Sequence, residues 1–126
     1  MRFTLPIAAL ALLALPLGHP ASAQEDGGAK RKLDAALSVL RVHQDAAGKS
    51  CLDAMTRVHQ TEDQVGNVTR ESANGDHANA NADIARDVLE SDYENAETAC
   101  APDAVQACRS DPHLPACAKF GAISDN

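Results

Sequence analysis

Four cysteines, a row of carboxylates and a scatter of histidines are the side chains in this sequence with chemistry in them. Cys51, Cys100, Cys108 and Cys117 form no C-x-x-C pair, no Cys/His cluster of structural-zinc type and no C-x-x-C-H haem-attachment motif. They therefore read as disulfide staples rather than as redox or metal chemistry. Four cysteines admit three pairings, and the sequence leaves all three open. An antiparallel hairpin turning within residues 71–81 would place Cys51 opposite Cys100, Met55 opposite Ala96 and Val58 opposite Tyr93, leaving Cys108 and Cys117 to close a short loop around Pro112 and Pro115.

The carboxylates are more regular. Asp83, Asp87, Glu90, Glu94 and Glu97 recur at spacings of four, three, four and three, which on an α-helix places all five within a sector of about 80°. Like charges at such spacings repel, so the stripe works against the helix that carries it. It suits a solvated face or a docking face for a basic protein surface. No Asp/Gly loop of EF-hand type accompanies it. Asp92 stands apart, on the opposite side among Ala85, Val88, Leu89, Ala96 and Ala99. A charge on a packing face needs a partner; the hairpin register nominates His59, with Arg57 close by, as a structural pair without a nucleophile to make it catalytic.

His43, His59, His77 and His113 fall in four different segments. A divalent-metal site would need two or three of them to converge with carboxylates such as Glu62, Asp63 or Asp76. No nucleophile–base pair and no cofactor loop appear, so the expectation is a protein that is not an enzyme and carries no cofactor.

Positioning these residues falls to a small domain. Residues 1–23 have the form of a secretory signal peptide: Arg2, an apolar run from Phe3 to Leu17 broken by Pro6 and Pro16, and the cleavage motif Ala21-Ser22-Ala23. Cleavage there leaves 103 of the 126 residues and removes one basic residue and no acidic one, so the formal charge of −7 becomes −8. Such a chain has no cationic footprint for nucleic acid, and its charge disfavours an anionic membrane surface. Export would carry the cysteines into an oxidising compartment, the periplasm or beyond, where pairing is the default.

The mature chain has no Trp, one Tyr and one Phe, and only 16 Leu, Ile, Val and Phe residues together. Against that poverty it has 19 alanines, which favour helix and close helix approach. Residues 24–29 read as a flexible lead, 30–120 as one helical domain and 121–126 as a tail. Leu33, Ala36, Leu37, Leu40, Gln44 and Ala47 mark a first helix from Lys30, stopped by Gly48, although the spacing nearly carries on into a second helix. That second helix opens on a capping box, Ser50 to Asp53, and shows Cys51, Met55, Val58, Glu62, Val65 and Thr69 on one side. Residues 71–81, with the turn dipeptide Asn74-Gly75, link it to a third helix from about Ala82 to Ala99. Pro102 should end that helix and start a short fourth, Asp103 to Cys108, and a turn of helix follows at Ala116 to Phe120. The repeated Arg-Val-His-Gln at 41–44 and 57–60 is too short to mark a repeat.

The segment Val105-Gln106-Ala107-Cys108, with Cys51 upstream, is similar to small periplasmic acid-stress chaperones of the HdeA type. The resemblance covers those residues, in a chain with two further cysteines and few aromatics, and it implies a pairing of Cys51 with Cys108.

The expected fold is all-α, a small antiparallel bundle of three to four helices stapled by two disulfides. The expected function is that of an exported, non-enzymatic interaction module, whether accessory subunit, inhibitor or chaperone-like protein, docking through Asp83, Asp87, Glu90, Glu94 and Glu97 without nucleic acid or membrane insertion. The alternative is a periplasmic divalent-metal-binding protein using His and carboxylate side chains.

Overall fold

A computed structural model describes residues 27–72 and 78–124. The described residues form four α-helices and no strand: α1 (Gly28–Leu40), α2 (Lys49–Ser72), α3 (Ala78–Ser110) and α4 (Pro115–Ser124). Residues 1–23, expected as a signal peptide, the first part of the expected lead and the expected turn at Asn74-Gly75 lie outside the described residues. Helix α1 starts two residues ahead of Lys30, within the expected lead, and Gly121 to Ser124, read as tail, close α4.

The pairing is Cys51–Cys100 and Cys108–Cys117. Cys51 therefore does not meet Cys108, and the pairing implied by the chaperone resemblance is overturned. The Cys51–Cys100 bridge holds α2 antiparallel against α3, with the two Cα atoms 4.6 Å apart. Both cysteines are fully buried, whereas Cys108 and Cys117 are half-buried. All four cysteines are bonded, the state of a chain folded where thiols oxidise. None of the described helices is long and apolar enough to cross a membrane.

Helix α3 is the spine. Its buried positions are Ala82, Asp92, Tyr93, Ala96, Cys100, Ala104 and Ala107, recurring mostly at threes and fours, and the small side chains let α2 and α1 come close on two sides. Lys30 at the start of α1 lies over the Tyr93 ring, while His43 just past its end lies beside Asp111 at the end of α3. The two helices thus run in the same direction. On its far side α1 meets α4, so it is covered twice and buries a wide stripe, Leu33, Ala35, Ala36, Val39 and Leu40. Phe120 of α4 completes the core.

Helix α1 ends at Leu40, earlier than the spacing of Gln44 and Ala47 predicts, and a 3-10 turn at Gln44–Ala46 carries the chain to α2. The break near Gly48 is real, but the capping box is not its cause. The cap comes from a distant residue: the Gly48 backbone N–H donates to Asp103 Oδ2 at 2.8 Å. A Cβ at position 48 would sit 3.2 Å from that oxygen, so glycine allows the approach. Asp103 satisfies an orphan donor at the start of α2 and sets a negative charge against the positive end of its dipole.

Pro102 does not divide α3, which is continuous over 33 residues. A proline inside a helix removes the hydrogen bond to the carbonyl four residues back, here Thr98, and costs about 3 kcal/mol in a free helix. Pro102 and Thr98 both face solvent, so water can reach that carbonyl. Cys100 is bolted to Cys51 on one side and Ala104 and Ala107 are buried on the other. Tertiary fixation on both flanks overrides the local breaker.

Replacing Asp103 with Ala should remove the cap and cost about 1 kcal/mol of unfolding free energy, the typical worth of an N-terminal cap. Urea unfolding of Asp103→Ala and Asp103→Asn measures it; equal stability of Asp103→Ala and the parent protein would show that the contact is incidental.

Candidate interaction face on the third helix

The acidic stripe flanks the buried seam of α3. Asp83, Asp87 and Glu94 are exposed, and Glu90 and Glu97 half-buried. Asp83 forms an exposed ion pair with Arg86 one turn on, at 3.0 Å. Asp87, Glu90, Glu94 and Glu97 form no ion pair with any described residue, whereas Asp34 and Asp53 on α1 and α2 are matched by Lys30 and Lys49. The charge left uncompensated is concentrated on one helix.

The upper half of this face is also concave. Because α1 begins level with Tyr93, the part of α3 before Tyr93 continues the surface on which α1 lies without a helix upon it. A groove of about 460 Å³ opens there, lined by Asp83, Arg86, Asp87, Leu89, Glu90 and Tyr93. Its base is apolar, from Leu89 and the aromatic ring, and its edge mainly acidic. Ile84 and Val88, exposed on another side of the same stretch, add uncovered apolar surface.

Tyr93 anchors the lower end. Its ring is buried, its hydroxyl donates to Glu62 Oε1 of α2 at 2.7 Å, and Lys30 Nζ lies 5.7 Å from the ring centre. Burial first, then the hydrogen bond to Glu62 and the charges of Glu62, Asp34 and Glu90, push the phenol well above the ordinary tyrosine value.

The nominated pair of His59 and Asp92 is not formed. Asp92 accepts from Thr61 Oγ1 at 2.6 Å, a buried contact, while His59 is exposed with Nδ1 3.3 Å from Glu62 Oε2. The register is close to that expected, but His59 is one residue, or about 100°, off the buried line of Cys51, Val58 and Thr61, and turns outward. Thr61, three residues after Val58, continues that line where the sequence spacing had placed Glu62. His43 Nε2 lies 3.4 Å from Asp111 Oδ2, His113 is exposed, and His77 lies outside the described residues. Among the described residues no three His, Cys, Asp or Glu side chains gather into a group that could hold a metal ion.

No known family, curated protein or solved structure matches the chain. Its function has to be argued from the face itself.

The chain has one tyrosine and no tryptophan, so the alkaline absorbance of tyrosinate reports Tyr93 alone. A free tyrosine loses its proton near pH 10. The folded value is higher, so this group's contribution to stability is complete below about pH 10 and is lost as pH rises through the folded value. Native protein should therefore titrate above pH 10 and denatured protein near it, with Glu62→Gln moving the native midpoint down. A native midpoint near 10 would contradict the buried, carboxylate-bound phenol.

Proposed function

We propose that this protein is an exported, non-enzymatic interaction module, an accessory subunit, inhibitor or chaperone-like protein of the periplasm or the secreted fraction, that docks a basic protein surface through the acidic face of α3. The observation that carries the reading is the row of four carboxylates, Asp87, Glu90, Glu94 and Glu97, without an ion pair to any described residue, its upper members lining a groove with an apolar base that α1 leaves open. Unpaired charge on a rigid scaffold draws a complementary partner from a distance, and the apolar base adds area that salt does not screen. The address rests on the sequence of residues 1–23 and on the two disulfides. No observation favours the metal-binding alternative.

The test is capture of partners from periplasmic extract on immobilised mature protein. Yield should fall steeply between low and near-physiological salt, as expected for exposed charges beyond a Debye length of about 8 Å at 0.15 M. It should be lost in the Asp87→Lys, Glu90→Lys, Glu94→Lys triple variant. Capture that ignores both salt and charge reversal would place the interface elsewhere.

A further inference from the structure

A second concavity lies between α2 and α3, on the side of α3 away from the acidic stripe. It is a notch of about 240 Å³ lined by Ser50, Asp53, Ala54 and Arg57 of α2 and by Asp92 and Asn95 of α3. That is below the roughly 300 Å³ at which pockets for drug-sized molecules begin, so an occupant would be small.

Two of its charged groups, Arg57 and Asp92, form no ion pair with any described residue. Asp53 is neutralised by Lys49. Asp92 is 9 % exposed and uses one oxygen, Oδ2, for the Thr61 hydroxyl; its other oxygen takes no hydrogen bond from any described residue. No buried side-chain oxygen or nitrogen among the described residues lacks a partner, so that second oxygen is reachable by solvent, and Asp92 reaches solvent at the notch. A carboxylate can accept about four hydrogen bonds, so Asp92, with a single protein partner, keeps acceptor capacity on the side that reaches solvent. Arg57 lines the same notch, is exposed, and forms no hydrogen bond or ion pair with any described residue. It lies one helical turn before Thr61 on α2, yet it does not close onto Asp92. An acid in the interior and a guanidinium at the exposed side thus share one small space and remain unjoined.

We propose that this notch binds a small zwitterion of the amino-acid class, its ammonium group on Asp92 and its carboxylate on Arg57. A cation alone would answer Asp92 and leave Arg57 facing it with like charge. An anion alone would meet Asp92. A molecule carrying both groups satisfies each charge and adds no net charge to the notch. Arginine's planar fork suits a carboxylate, and Asn95 and Ser50 offer neutral donors and acceptors beside the two charged groups. The site is independent of the acidic stripe, so the two readings stand or fall separately.

The probes are glycine, β-alanine and 4-aminobutyrate, which differ in the spacing of their charged ends, with methylamine and acetate as single-charge controls. Titration calorimetry and the melting temperature of the full mature protein are the readouts. At least one zwitterion should bind at millimolar or lower concentration and more tightly than either control. Affinity should fall roughly 10- to 100-fold in both Arg57→Gln and Asp92→Asn, the usual effect of losing a hydrogen bond to a charged group. Arg57 is exposed, so its variant keeps the fold even if Asp92→Asn, which loses only the charge beside Thr61, proves unstable. Three results would each overturn the proposal: no binding by any of the three, binding of methylamine as tight as the best zwitterion, or unchanged affinity in Arg57→Gln.

Discussion

The Cys51–Cys100 bridge is the constraint on which the rest of the molecule depends. It joins the start of α2 to the last third of α3 at two fully buried positions and fixes the register of the longest helix pair in the fold. Few large side chains are available to do that instead. Leu33, Leu40, Val39, Val58, Tyr93 and Phe120 are the large apolar residues of the core, and most of the other buried positions are alanines. An alanine-rich seam brings helices close but does little to choose between registers, because one small residue fits much like the next. A covalent bond between the two helices selects one alignment. Asp103 capping α2 and the contact of Thr61 with Asp92 follow from it, since each spans the same two helices on either side of the bridge.

The unequal lengths of the helices explain which part of α3 is left uncovered. Helix α3 has 33 residues and α1 only 13, and α1 starts level with Tyr93. The lower part of α3 is therefore covered by α1 and tied to α4 through Cys108–Cys117, while the upper part has only α2 beside it. The acidic stripe runs along this spine, and its upper members sit in the groove that α1 leaves open. Helix α3 is thus fixed at one end and exposed at the other, and the fixed end holds the groove in place. The repulsion among the carboxylates is offset by the tertiary fixation below rather than by local pairing.

The helical class and the disulfide pairing preferred by the hairpin geometry were legible in the sequence, because each rests on a period of three and four, whereas the break between the first two helices near Gly48 was not. Cys51, Val58, Ala96 and Cys100 stand on such a period and meet where that period places them. What could not be read depended on contacts distant in the chain. Pro102 carries the local mark of a helix end, and only the bridge at Cys100 and the burial of Ala104 and Ala107 keep α3 whole. Ser50 to Asp53 looks like a cap, yet the cap is Asp103, 55 residues from Gly48, and nothing near either residue announces it. The stripe of carboxylates was visible as a pattern, but its partly concave surface depends on where α1 happens to begin. The partner of Asp92 was missed for want of one residue: His59 lies opposite it in register, but Thr61 is the side chain on the buried line.

The central claim, that the buried bridge sets the fold, is tested most directly by thermal unfolding of two double variants followed by circular dichroism. Cys51→Ser with Cys100→Ser opens a closure spanning 49 positions and Cys108→Ser with Cys117→Ser one spanning 9. Chain-entropy arguments assign these about 4 and about 2.7 kcal/mol respectively. The first variant should lose its cooperative transition or melt far below the second, which should still unfold in one step. A Cys51/Cys100 variant that melts cooperatively within a few degrees of the parent protein would contradict the account.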